Sequence, residues 1–415
     1  MNKLQIVYNG WGERWPLATL AEDAGRILLF EYSPEALRQG LELSPLHLAL
    51  RTAAYPGSRQ PFDGLPGLIA DALPDGWGML LMDRVFRKLG RDPALVSPLE
   101  RLAFIGERAM GALGFEPAQG GKLTRHDISL LDVAQQIDRL TAGSSRAVLN
   151  ELVLLGGSPH GARPKALVDF DPSIGHMQTG GTGTPATEPW LIKFPARGEH
   201  PEACAVEELY ARLARASGIE MPPSRHFPLN RKLAAFGVKR FDREGGMRVP
   251  LHTLAGALHA DHRQPSVDAI DFLRLTRRMT GDVREILKSF ERCIFNLAFN
   301  NRDDHARNFS YRLGRDRRWR LSPAYDLTFN EGLRGHHQMA YAGETRTPTR
   351  DHLLSMATQG GIAHATAIAS IKRIAAVAAR IGHHVRELPI RKATLKRIVR
   401  ATAGNCAPLS ARERG

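Results

Sequence analysis

Phe299-Asn300-Asn301-Arg302-Asp303-Asp304-His305-Ala306-Arg307-Asn308-Phe309 is the stretch that decides how the rest of the chain is read. Eight of the nine residues from 300 to 308 carry an ionisable or amide group, and they follow an amphipathic pattern that predicts a helix over 283–298. Surface loops also collect such groups, so the spacing has to discriminate. A carboxylate five residues before an amide can orient a hydroxyl while the amide oxygen ligates a nucleotide-bound metal. Asp326 lies 18 residues beyond Asn308, in Leu321-Ser322-Pro323-Ala324-Tyr325-Asp326-Leu327. A strand-and-turn excursion of that length can return a second oxygen ligand to the first. Asp303 is therefore the candidate hydroxyl-orienting group and base, with Asp304 its rival. Asn308 and Asp326 offer hard oxygen donors of the kind Mg2+ takes. His305 reads as a structural histidine rather than a zinc ligand, because no compact partner set accompanies it.

Phosphoryl transfer also needs positive charge on the nucleotide. Lys193 sits in the strand-like Ile192-Lys193-Phe194, and Glu207 follows 14 residues later in a predicted helix. A lysine on an apolar strand often snorkels. Here it can instead place a point charge on phosphates while a helical carboxylate orients it. Glu208 is adjacent, and helical register favours Glu207 if Val206, Tyr210 and Leu213 pack inward. The loop Gly156-Gly157-Ser158-Pro159-His160-Gly161-Ala162-Arg163-Pro164-Lys165 could donate backbone N–H groups to phosphates. It is neither a Walker A motif nor a good G-x-G-x-x-G. Its single hydroxyl, Ser158, would bring negative charge beside that site if phosphorylated and so act as an internal off-switch.

The chain has 415 residues, 43% apolar and 24% charged, as expected of a globular protein with two or three domains. No secretory signal and no membrane span is expected, and the scattered Cys204, Cys293 and Cys406 fit a reducing cytoplasm. A net charge of +14 attracts nucleic acid, acidic proteins and anionic surfaces without choosing among them. No zinc-finger spacing or RNP-type segment is present. Strands are expected at 4–8, 26–32, 111–115, 166–170, 190–194, 224–228 and 233–240, with a hairpin loop around 179–184. Helices are expected at 76–89, 128–155, 202–217, 269–280, 283–298, 364–383 and 392–401. The implied class is α+β, a bilobal protein-kinase-like fold. An N-terminal α/β subdomain (1–120) precedes the rest of the N-lobe (121–245) and a mostly helical C-terminal lobe (246–415).

Several motifs in order then acquire a common meaning: Leu73-Pro74-Asp75-Gly76-Trp77-Gly78, Gly161-Ala162-Arg163-Pro164-Lys165, Leu191-Ile192-Lys193-Phe194 and Arg240-Phe241-Asp242-Arg243. Asp303-x-His305-Ala306-x-Asn308 and Ser322-Pro323-x-Tyr325-Asp326 follow them. Together they resemble the HipA family of bacterial serine/threonine kinases, toxins of type II toxin–antitoxin modules, over most of the chain. The resemblance implies ATP and Mg2+ as cofactors. It matches Asp303 to the catalytic aspartate, Asn308 and Asp326 to the metal ligands and Lys193 to the phosphate-contacting lysine. It matches Ser158, after Gly157, to the autophosphorylated loop serine, and the backbone near Arg240 and Phe241 to the adenine-facing hinge region. It further implies a DNA-binding antitoxin of the HipB type, operator DNA bound through that complex, and room for homodimerisation within it. An aminoacyl-tRNA synthetase, glutamyl-tRNA synthetase being the best-known kind, is the implied substrate. A kinase-like scaffold that only binds antitoxin, and a small-molecule phosphotransferase, are the competing readings.

Overall fold

Alternating buried and exposed positions along Lys3–Tyr8 (β1) set the first sheet, since Leu4, Ile6 and Tyr8 point inward while Lys3 and Gln5 do not. The strands Trp15–Glu22 (β2), Leu28–Tyr32 (β3), Tyr55–Pro56 (β4) and Leu113–Glu116 (β5) complete an antiparallel sheet of order β4-β3-β2-β1-β5. The computed structural model describes residues 1–120, 126–141, 152, 155–156, 159–180, 183–184, 186–261 and 263–410. Gly157 and Ser158 lie outside the described residues, as do Gly181 and Thr182 of the expected hairpin loop.

The second sheet is also antiparallel. It contains Lys165–Asp171 (β6), His176–Thr179 (β7), Glu188–Lys193 (β8), Ser224–Pro228 (β9) and Ala234–Lys239 (β10), in the order β7-β6-β8-β10-β9. Alternation sends Ala166, Val168 and Phe170 of β6 and Trp190 and Ile192 of β8 into one core. The helix Gly76–Lys88 contributes Trp77, Leu81 and Val85 to that core, and Leu130–Thr141 contributes Val133, Ala134, Ile137 and Leu140. The segment before residue 120 and the second sheet therefore share one apolar interior.

Two buried polar networks belong to the same unit. Asp242 accepts from Arg240 Nε and Nη2 at 2.8 Å each, from Arg243 Nη1 at 2.7 Å and from the backbone N of Gly111 at 3.0 Å. Burial opposes ionisation, yet Arg240 and Arg243 hold the Asp242 carboxyl well below the usual range. Separately, His252 Nδ1 lies 2.7 Å from Asp71 Oδ2, and its Nε2 lies 3.0 Å from Ser44 Oγ. The order resembles a hydrolase triad. Ser44 is only 1% exposed and His252 0%, so the relay satisfies buried polar groups rather than presenting a nucleophile.

Contacts divide the chain into two units. The first is Met1–Cys204 with Ser224–His252 and Arg312–Arg317, and the second is Ala205–Pro223 with Thr253–Tyr311 and Arg318–Gly415. The second is mainly helical, with Ala269–Thr280, Val283–Ala298, Arg350–Gln359, His364–Ala378 and Lys392–Ser410 as its longer elements there. Asp268 caps the first of these through the backbone N of Ile270, and Gly281 closes it with φ 63°. Asp282 immediately caps the next. The helix expected over 364–383 instead ends at Ala378, and Arg380 (φ −116°, ψ 23°) separates it from Ile381–His384.

Candidate active site

The helix Val283–Ala298 buries Ser289, Phe290, Cys293 and Phe295, and it delivers the polar loop from its C-terminal end. Asn300, at φ 54°, turns the chain out of the helix. Its Nδ2 donates to Asn330 O at 3.0 Å, and Arg302 N donates to the same carbonyl at 3.2 Å. Asn405 Nδ2, on the last helix, donates to Leu297 O at 2.9 Å and to Asn300 Oδ1 at 3.0 Å. The loop is thus fastened at its start.

Its two carboxylates have different surroundings. Asp304 is fully buried and accepts from His337 Nδ1 and Gln338 N at 2.8 Å each, from Met339 N at 3.4 Å and from the Tyr341 hydroxyl. Burial by itself would raise the Asp304 carboxyl, but His337 and these hydrogen bonds hold it below its ordinary value. The Asp303 side chain is 43% exposed, with His305 Nε2 3.9 Å from its Oδ1. Asn308 Nδ2 donates to Asp303 O at 2.7 Å, which fixes the spacing of the two candidate residues. Asn308 Oδ1 has no protein donor among the described residues.

The segment carrying Asp326 is held by several anchors. Arg292 Nη2 donates to Ser322 O, and Ser310 Oγ donates to Ser322 Oγ at 2.9 Å. Leu321 N donates to Glu285 Oε2 at 2.8 Å, and Tyr325 OH donates to Arg307 O at 2.7 Å. That last bond ties the Asp326 segment to the Asn308 loop. Asp326 itself adopts φ 55°, an uncommon conformation for a residue with a Cβ and one that recurs at functional turns. Arg292 is buried, and burial pulls its guanidinium down to about 10. No group of three or more His, Cys, Asp or Glu suited to a metal occurs among the described residues. An amide oxygen and a carboxylate nevertheless fit Mg2+, which takes one or two protein oxygens and completes its shell with phosphate and water.

In the first unit, β6 and β8 place Lys165 directly opposite Lys193, and both are buried, at 3% and 7% exposure. Like charges facing each other across strands repel unless other groups or a bound anion compensate them. Lys165 Nζ donates to His160 O, and His160 Nε2 lies 3.0 Å from Leu73 O. Asp75 accepts from Gly161 N, and Trp77 N donates to Gly161 O at 3.1 Å. The 73–78 segment therefore braces the described part of the glycine-rich loop. Gly76 has φ 40°, and a Cβ there would meet Ala162 Cα at 2.7 Å. The Arg240 guanidinium lies in the Asp242 cluster, so that region offers backbone rather than this side chain. Phe241, the next residue, is partly exposed.

Glu207 and Glu208 both fall in the second unit and are buried. Glu208 pairs with Arg212 at 3.0 Å and Arg215 at 3.6 Å, both on its own helix. Arg292, His337 and Asn405 were not singled out from the sequence, and Lys165 and Tyr325 stood there only as motif positions with no role assigned. Arg292 had a readable signal, a cation on the apolar stripe of a predicted helix. His337 and Asn405 had none, since their partners lie 33 and 105 residues away.

The α+β fold, with the exposed Asp303 side chain beside Asn308 in one loop and two lysines paired across strands, is that of a kinase-like protein. Family models for the HipA N-terminal domain (residues 8–116) and the HipA-like C-terminal domain (157–382) match, and the chain belongs to the HipA family. It is 28% identical over 348 residues to the Sinorhizobium fredii protein named "Putative kinase Y4mE", covering 77% of this chain and 76% of that one. Among solved structures it is similar to HipA of Shewanella oneidensis, determined with HipB and its operator DNA. The TM-score is 0.70 at 18% identity, over 98% of this chain and 96% of that one. A Helicobacter pylori proinflammatory kinase, CtkA, matches at TM-score 0.40 and 10% identity over 53% of this chain and 87% of its own, too distant to carry weight.

Proposed function

We propose that the protein is an ATP-dependent serine/threonine protein kinase acting as the toxin of a toxin–antitoxin module. The observation that carries this is the division of labour in the polar loop. Asp304 is enclosed by structural partners, the Asp303 side chain is 43% exposed, and Asn308 is bonded to the Asp303 backbone. Bound Mg-ATP would supply the transferable phosphoryl group and the neutralising metal charge. Asp303 orients the substrate hydroxyl and accepts its proton. Asn308 Oδ1 and the Asp326 carboxylate would hold the cation. Lys193 and Lys165 offer positive charge to phosphates, and Glu207 is assigned to orient Lys193.

The wider reading rests on family membership and on the HipA–HipB–operator complex of the structural relative. A HipB-type antitoxin is the expected partner, with operator DNA bound through it. Phosphorylation of an aminoacyl-tRNA synthetase, glutamyl-tRNA synthetase in the first instance, would stop charging and inhibit translation. Autophosphorylation of Ser158 would add negative charge beside the phosphate-binding loop and switch the kinase off.

Cell extract incubated with Mg-ATP, with phosphorylated proteins identified by mass spectrometry, tests the proposal against Asp303→Asn and Asp326→Asn forms. The expected result is one dominant phosphoprotein that disappears with either substitution. Activity that survives both refutes the site. Absence of activity in every form, together with tight antitoxin binding, makes the protein a scaffold.

A further inference from the structure

A cleft of about 620 Å3 opens in the first unit, lined by none of the residues assigned a role above. That volume lies within the roughly 300–1,000 Å3 typical of ligand clefts. Three segments line it: the helix Leu130–Thr141, the stretch after β8 from Phe194 to Glu199, and the β9–β10 turn from Asn230 to Leu233. Its floor is apolar and comes from the core, with Ala134, Ile137 and Phe194 exposed by only 4%, 4% and 2%. Its rim is cationic. Arg197, Arg231 and Lys232 are exposed, and Arg231 and Lys232 make no side-chain ion pair or hydrogen bond among the described residues.

Two carboxylates also line the cleft, and they do not cancel the rim. Glu199 pairs with Arg163 at 2.6 Å and accepts from Ala196 N at 3.0 Å. Asp138 is exposed, so three cations face one uncommitted acid. The rim is also rigid. Asn230 Oδ1 accepts from Lys232 N at 2.8 Å and Leu233 N at 2.9 Å, locking the hairpin turn. Arg197 Nη1 donates to Thr141 O at 3.2 Å. Pre-ordered loops reduce the entropy cost of binding.

We infer that this cleft docks a short acidic peptide segment of a partner protein, with an apolar side chain seated on the partly exposed Pro195, Ala196 and Leu233 and carboxylates against Arg197, Arg231 and Lys232. An apolar centre inside a polar rim is the anatomy of a protein-recognition site. Single-stranded nucleic acid would call for exposed aromatic rings on which bases stack, and the one ring here, Phe194, is buried. Phe194 follows Lys193 in the chain, so strand alternation puts the docked segment behind the sheet face that carries the two lysines. Docking does not depend on the kinase reading.

Fluorescence anisotropy on the full-length protein without nucleotide, using short labelled peptides of glutamates flanking one leucine or phenylalanine, tests this. Binding should weaken about tenfold in an Arg231→Glu, Lys232→Glu double variant and strengthen about twofold in Asp138→Asn. Peptides with glutamine for glutamate, or serine for the apolar residue, should not bind. The inference is overturned if no acidic peptide binds, if the double variant binds within twofold of wild type, or if an oligonucleotide of matched charge competes as well as the peptide. Kinase activity failing in the extract assay would leave these binding results unchanged, so the two readings fail separately.

Discussion

Asp303 and Asp304 are neighbours with opposite fates, and the difference is solvation. Asp304 is closed in by His337, Tyr341 and two backbone donors, so Asp304→Asn should cost about 3 kcal/mol at neutral pH, read from urea midpoints. Its folded carboxyl titrates below the unfolded one. Its stabilisation is therefore complete above about pH 4 and is lost as pH falls through the folded value. The gap between wild type and variant should narrow in acid; a gap that stays constant to pH 3 would contradict this. Asp303→Asn should shift the midpoint by less than about 0.5 kcal/mol, while phosphoryl transfer falls by about 100-fold or more. The sequence placed both carboxylates in one loop and ranked them by spacing alone. It could not separate them by burial, because the groups that bury Asp304 come from more than 30 residues downstream.

Most regular elements were legible from periodicity, and the exceptions are instructive. Strand β2, Trp-Pro-Leu-Ala-Thr-Leu-Ala-Glu, was not anticipated, because Pro16 removes a ladder donor and the rest is rich in residues that also suit helices. It is accommodated by a register shift, with Ile6 facing Ala18 and Val7 facing Pro16. The last helix runs to Ser410 although Gly404 and Pro408 suggest an earlier stop, and Leu409 is buried at 1% exposure. The 73–78 motif runs into the helix expected over 76–89. That is where it sits, but its brace on the loop at 159–165 required the three-dimensional contact. Gly76→Ala should cost about 1–3 kcal/mol and weaken nucleotide binding, since both the positive φ and the approach to Ala162 exclude a side chain. Calorimetry of nucleotide binding beside a thermal melt would check both effects.

For the chain as a whole, buried charge and net charge act in different ways. Asp242 gathers Arg240, Arg243 and the Gly111 backbone into one cluster, joining the early segment to the second sheet's surroundings. Asp242→Asn leaves two guanidinium groups without their anion and should cost about 3–5 kcal/mol, measurable by denaturant unfolding. An excess of 14 positive charges attracts polyanions at long range. Association with duplex DNA of unrelated sequence should fall steeply as salt rises; a flat salt profile would show that the charge is locally balanced.

The bond from Asn405 to Leu297 and Asn300 gives the chain a vulnerability that is genetic rather than chemical. A nonsense codon shortly before position 405 would spare every residue assigned to phosphate or metal. It would still remove the clasp on the polar loop, along with Leu409 from the interior. If the gene product is harmful to its host, survivors selected for loss of harm should therefore include late truncations as well as substitutions at Asp303 or Asp326.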